Sequence, residues 1–467
     1  MFRIDLLKIV GVAILILVIL GVGMLAMSSY RKTREIDARI AAIKAQGDPV
    51  SVGDLIPKPA DPRNGAVVYE RIFTAIKPGS KDLWKAYGVT SPPKRRRDPE
   101  LLALARAATA RYRGVLPLIG EAASMPYCRF NTNWNDLPEK IIYRYLAEIR
   151  DVSRFLAEIA IVDASDGRME DSLRSIGLGY RLSESLNREP SLIGSLSRIA
   201  CVSITTLSLK QSAQYGDISE SQARGLFDML GKIDLRSSYI YAMKGERAMN
   251  LGWMERIRNY GFDLDPDGRA VPRAGNNRYS SIRSVTNLVS SRYESSCAYE
   301  LAYLEYMDSV LDIVSQPDRG RIPPQVVLDS DPPRVEYMPR FGFDALSLAR
   351  INQVLYESMT TIAGDRVFLA VLAYKSKFGA YPSSLDDAGK RLGWKLPLDP
   401  MVGKQFRYQR KAMGFALYGL GRNLKDDNAE SVADQPENTR KEGFLEQYPY
   451  LDPDGRYSAD MIWAKSR

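Results

Sequence analysis

The strongest pattern along the chain is an uninterrupted apolar run, Ile9 to Met27, with Arg3 and Lys8 before it and Arg31, Lys32 and Arg34 after it. As a helix at 1.5 Å per residue it reaches about 28 Å, close to the hydrocarbon thickness of a bilayer. Cleaved signal peptides have a shorter apolar core of about 7–15 residues, so the run predicts an uncleaved transmembrane anchor. Residues 30–46 then read as a polar stalk helix. Residues 47–64 read as an extended linker, because Pro49, Pro57, Pro59 and Pro62 fall within them.

From Gly65 the apolar positions recur at steps of three and four. Leu101, Ala105, Ala108, Tyr112 and Val115 share one face of a helix that Asp98 caps and Pro99 begins. Helices over 137–164, 169–187, 192–214 and 235–260 follow, broken at Asp166-Gly167, Pro190 and Gly216-Asp217, with Ser219 as a further cap. Long helices joined by such short turns stack as antiparallel hairpins. No 34-residue period repeats, so the reading is an irregular helical array and not a tetratricopeptide domain. Residues 261–277 read as a polar loop, 279–313 as another helix and 317–340 as a second Pro-rich connector.

The last unit opens on a long amphipathic helix, Leu346 to Phe378. Two aromatic runs, Phe406–Tyr408 and Phe415–Tyr418, flank a turn at Met413-Gly414 and predict a β-hairpin. The expected fold is therefore mainly α. Its order is an anchor over 1–29, stalk and linker over 30–64, a helical array over 65–316, a connector over 317–340 and a small α+β domain over 341–467.

Composition narrows the chemistry. The chain has 45% hydrophobic and 26% charged residues, enough to bury a core, and a formal charge of +9. It contains no histidine. That excludes Ser-His-Asp and Cys-His nucleophilic machinery, imidazole bases, HExxH zinc sites and imidazole pH switches. Cys128, Cys201 and Cys297 are scattered, with no CxxC, and read as buried apolar thiols and not as a disulfide framework or metal site. There is no Walker A loop, dinucleotide-binding loop or GxSxG.

A long helix ending in AYKSKFGAYPSSL, then LPLDPMVGKQFRYQ, GFALYGLGRNLKDDN and a terminal ADMIW, resembles the globular part of the major pseudopilin of type II secretion systems. The likeness covers about Val367 to Trp463. The wider plan also resembles uncharacterised membrane-anchored proteins of planctomycete-type bacteria. The chain departs from the pseudopilin pattern at its start, where no Gly precedes Phe2 and the acid, Asp5, comes one place early. The resemblance thus implies a reused module and not a pilus subunit. It also implies a structural calcium site at Asp426, Asp427 and Asp460, since hard carboxylate oxygens suit Ca²⁺.

Other candidates carry weaker chemistry. Asp263, Asp265, Asp267 and Gly268 match the first half of an EF-hand loop, but Ala274 stands where the bidentate Glu belongs, so an Asp-Gly turn is expected. Lys94-Arg95-Arg96-Arg97 reads as a solvated loop and not a nucleic-acid contact. Trp134, Trp253 and the 26 tyrosines could line a sugar groove, though such aromatics usually form helix interfaces.

The expected function is a membrane-anchored, non-enzymatic envelope protein. It would act as an interaction scaffold or secretion-associated component, with its body on the periplasmic or exoplasmic side. Its expected partners are membrane lipid, through the N-terminal helix, and envelope proteins; no nucleic acid is expected, and calcium is the one candidate cofactor. The alternative is a membrane-tethered, carboxylate-dependent hydrolase of glycosidase type, which needs two carboxyls about 5–9.5 Å apart in a cleft.

Overall fold

The computed structural model describes residues 2–55, 63–76, 99–132, 143–260, 262–264, 270–272, 291–315, 345–412, 414–421, 426, 428 and 461–465. Helix dominates them. Helix α1, Phe2–Ala45, is continuous from the apolar run into the body. Its apolar stretch is exposed from Ile9 to Met24, Leu17 at 68% and Met24 at 72%, and only Leu25 and Ala26 at its end are partly covered. A helix of this length and hydropathy can span a membrane.

The second half of α1 is docked and does not stand free as a stalk. Ile36 and Ile43 are buried, and Ile43 packs with Leu251 and Leu304. Arg39 reaches Glu305 at 3.2 Å, and Thr33 Oγ1 lies 3.7 Å from Cys297 Sγ. The chain then stays on the body. Asp48 accepts from Lys244 at 2.7 Å and Arg247 at 3.0 Å, and the turn α2, Val52–Leu55, buries Leu55 against Ala248 and Met249.

The array follows as α3 (Gly65–Ile76), α4 (Pro99–Ala110), α5 (Leu116–Ser124), α6 (Arg144–Ser165), α7 (Met169–Glu184), α8 (Leu192–Ser212), α9 (Glu220–Leu230) and α10 (Leu235–Tyr260). Helices α6, α7 and α8 pack on one another. Tyr69, Ile72, Ile119, Ile149 and Phe155 form the centre of one core with α3–α5, and Tyr180, Val202, Phe227, Tyr239 and Met243 the centre of the next. The caps read from sequence are present where described: Ser219 accepts from Gln222 N, and the Gln222 side chain completes a capping box.

Residues 262–272, expected as loop, hold a short antiparallel pair, β1 (Phe262–Leu264) and β2 (Ala270–Pro272). Helix α11, Ser291–Ser315, runs antiparallel to α10 through Arg258–Glu300 at 3.4 Å, Arg247–Asp308 at 3.7 Å and Arg236 Nη1 to Val314 O at 3.5 Å. The connector at 317–340 lies outside the described residues.

Helix α12, Ala345–Phe378, belongs to two cores at once. One face joins Leu355, Ile362, Leu369, Ala370 and Tyr374 to the array core. The other joins Val367, Phe368 and Val371 to Phe406, Phe415 and Leu417 of the terminal sheet. Buried Asp365 fastens the first face, accepting from Thr206 Oγ1 at 2.6 Å and Tyr180 OH at 3.0 Å. After α13 (Leu385–Leu392), strands β3 (Arg407–Lys411), β4 (Gly414–Gly419) and β5 (Met461–Lys465) form an antiparallel sheet in that order. The aromatic hairpin predicted at 406–418 is β3–β4. Asp399, buried, ties this unit together by accepting from the backbone of Met401 and Leu420 and from Thr360 Oγ1.

Candidate functional site

A cleft of about 390 Å³ opens where α2, the segment after α5, the turn after α7 and the middle of α10 meet. Asp54, Cys128, Arg129, Glu184, Arg188 and Tyr241 contribute to its lining. Asn64 sets the segment after α5, accepting from Arg129 N at 2.9 Å and donating to Arg129 O at 2.8 Å. The Arg129 guanidinium then donates to Arg188 O and to Leu55 O, each at 2.6 Å, so one side chain staples three chain segments around the opening.

The carboxylates of the cleft and Arg129 are committed to the fold. Asp54 accepts from the backbone of Val50 and Ser51, and the Val50 N–H leads the effects that hold its carboxyl below the ordinary range. Glu184 takes a 2.5 Å bond from buried Arg198, which also donates to Asp234 O. Arg188 is exposed and lies over the Tyr241 ring at 5.6 Å. The half-buried Cys128 thiol is pushed up to about 12 by burial, with the Glu189 charge adding to the effect. It is a thiol and not a nucleophilic thiolate at neutral pH. The cleft can bind polar groups; among the described residues its lining brings no nucleophile and base together.

Below it sits a tighter arrangement. The Glu189-Pro190-Ser191 turn is pressed between α8 and α10, where a Cβ on Gly245 would meet Pro190 O at 2.0 Å and one on Gly194 would meet Glu189 Cγ at 1.9 Å. Glu246 Oε1 accepts from Leu192 N at 2.8 Å, and Ser191 Oγ accepts from Gly194 N at 3.2 Å. Both acceptors satisfy donors at the N-terminus of α8 that have no partner within the helix. Burial raises the Glu246 carboxyl to about 7; the Leu192 N–H opposes this and Glu189 reinforces it. Burial raises Glu189 as well, against the pull of Tyr145, Arg129 and Ser191. This acid pair was not singled out from sequence, because Glu189 and Glu246 are 57 positions apart and join only when α8 and α10 close on the turn.

The residues named from sequence fall elsewhere. Asp426 accepts from Arg407 Nε and Tyr418 OH, each at 3.0 Å, and from Asn428 N at 3.1 Å. Partial burial disfavours its ionised form, but those three donors outweigh the effect and lower the carboxyl. Asp427 and Asp460 lie outside the described residues. Among the described residues no group of three Cys, Asp or Glu is placed to hold a metal ion. Asp263 is on β1 opposite Val271, with Asp265, Asp267 and Gly268 outside the description. Trp253 is buried in the array core, whereas Trp134 and the run 94–97 lie outside the described residues. Cys201 and Cys297 are buried.

Comparison with protein-family models, curated proteins and solved structures finds no match to this chain.

Proposed function

We propose that the chain is a membrane-anchored, non-enzymatic envelope protein that acts as an interaction scaffold or secretion-associated component. Its helical body would stand on the periplasmic or exoplasmic side, with a pseudopilin-like C-terminal unit. The observation that carries the reading is the state of the cleft: Asp54, Arg129 and Glu184 are spent on backbone and ion-pair bonds that hold the walls together. Stacked helical hairpins offer instead a large outer surface for partners. Crosslinking and affinity purification of the full chain from its own membrane is expected to recover defined envelope proteins, and a C-terminal topology reporter to be active on the outer side. A reporter active only in the cytoplasm reverses the assigned side, and recovery of lipid alone removes the scaffold.

The hydrolase reading draws on Asp54 and Glu184, the two carboxylates that line the cleft beside Tyr127 and Tyr241. It requires Glu184 to leave Arg198. Glycan cleavage by the purified chain, lost in Glu184→Gln with folding intact, would install that reading in place of the scaffold.

A further inference from the structure

Among the described residues β3 pairs with β4 alone, so its other side is a sheet edge. The register couples Lys411 with Gly414, the separation of a turn's closing bond. Bonded and non-bonded pairs alternate along an antiparallel ladder, so Lys411–Gly414, Gln409–Ala416 and Arg407–Tyr418 exchange the bonds between β3 and β4. The N–H and C=O groups of Tyr408 and Arg410 then point to the outer side, where no backbone group of the described residues meets them. Tyr408 is held from its far end instead, its OH donating to Pro382 O at 2.8 Å.

Beside the end of that edge is a pocket of about 560 Å³. Gly379, at φ +76°, closes α12 with its N–H on Lys375 O and turns the chain so that Ala380 and Tyr381 form one wall. The Tyr381 ring packs on Phe415 at 4.9 Å and lies under Lys375 at 5.4 Å, which fixes the wall. Lys375, Arg410 and Lys411 also line the pocket, and among the described residues its lining contains no acid. The acids around it are engaged. Asp217 accepts from Lys375 at 2.9 Å, Asp387 accepts from Tyr374 OH at 2.8 Å and from Ser383, and Asp426 accepts from Arg407 at 3.0 Å. Arg410 is exposed and has no ion pair among the described residues.

An open edge accepts another strand, and natural sheets guard such edges with charge. The cations of β3 do so selectively: they repel a second copy of β3 and favour an acidic strand. We propose that β3 is a docking edge for an extended, acidic peptide segment of a protein partner. The segment adds as a strand, bonding the outward N–H and C=O groups of Tyr408 and Arg410. Its side chains alternate in direction, so every second one faces the pocket, where a carboxylate meets Arg410 and Lys411. Lys375 joins them by exchanging Asp217 for the ligand, at small cost because Asp217 is 77% exposed. Backbone bonds supply the affinity and the pocket's cations the choice of partner.

The docking edge rests on the scaffold reading and deepens it, and its test reads the edge itself. Residue-resolved amide exchange is followed on the full chain in detergent, with and without a synthetic peptide of alternating Glu and Val. Fast exchange at Tyr408 and Arg410 is expected in the free chain. The peptide is expected to slow both about tenfold, while Gln409, already bonded to β4, stays slow. The same peptide with Gln for Glu, and one N-methylated at alternate residues, are each expected to bind about tenfold more weakly. Arg410→Glu is expected to weaken the Glu–Val peptide by a similar factor, and Arg410→Lys to retain it. Protection of Tyr408 and Arg410 in the free chain, equal binding of the Gln peptide, or no binding overturns the docking edge. Partner proteins that crosslink equally to the parent and Arg410→Glu chains overturn it too and leave the scaffold standing. Peptide binding by a chain that recovers lipid alone from its membrane supports the edge and removes the scaffold.

Discussion

Gly245 and Glu246 act on one contact from adjacent positions. The first lets α10 approach Pro190 closely, and the second fills the vacancy at the start of α8 with a carboxyl oxygen. A Cβ at 245 would sit 2.0 Å from a backbone oxygen, which no rotamer relieves, so Gly245→Ala is expected to cost about 3 kcal/mol or more of stability. A matching loss of Tm would show it; an unchanged Tm would mean that α10 can shift aside. For Glu246 the sign follows from its carboxyl, at 4.5 when unfolded and about 7 when folded. Between those values the folded chain keeps a proton that the unfolded chain has released. This contribution is therefore whole below pH 4.5 and is lost as pH rises through 7. The full effect is about 3 kcal/mol at most. Glu246→Gln keeps an oxygen for Leu192 N–H and removes the titration. It is expected to raise Tm relative to the parent at pH 8 and not at pH 4.5, whereas an equal change at both would show that Glu246 stays charged in the fold.

Among the elements, those with strong local signals were legible. Ser219 at the head of α9, the breaks at Gly167 and Pro190, and the aromatic hairpin β3–β4 all act within a few residues, and the structure has them where the sequence points. Ser219→Ala is accordingly expected to cost about 1 kcal/mol, since it removes the acceptor for Gln222 N. Urea unfolding that leaves the midpoint unchanged would show that the capping box is satisfied by water instead. Charges dominate the second half of α1 and point to a free stalk, yet Ile36, Ile40 and Ile43 form a stripe at steps of four and three that a docked helix requires. The β1–β2 pair has no sequence signal for a different reason. Its strands are three residues each, too short for alternation to register, and they rest against α10, which sequence alone does not bring near. The acid pair below the cleft belongs to the same class, since contact between distant helices has no local signature.

At the scale of the molecule, α12 decides how the chain is divided. The Pro-rich connector at 317–340 suggested a boundary, and a boundary in sequence usually marks a unit with its own core. Helix α12 instead carries one face into the array, where Leu355, Ile362, Leu369 and Tyr374 are buried, while Asp365 is held by two array hydroxyls. Four large side chains at about 1.5–3 kcal/mol each make that face worth about 6–12 kcal/mol, comparable to the whole stability of an ordinary domain. A chain ended at residue 340 is thus expected to uncover Phe227, over which Arg366 lies at 4.2 Å, and to lose cooperative unfolding. The missing segment should not restore it when supplied separately at low concentration, because the connector then no longer raises its effective concentration. Calorimetry of the truncated chain in detergent tests this: a single sharp transition near that of the full chain would mean that the array closes without α12, and that the terminal unit is an independent module after all. If the transition broadens or vanishes, the anchor, the array and the terminal sheet form one folding unit. The docked half of α1 and the terminal sheet are then coupled through the packing of α1 on α11, α11 on α10 and α10 on α12.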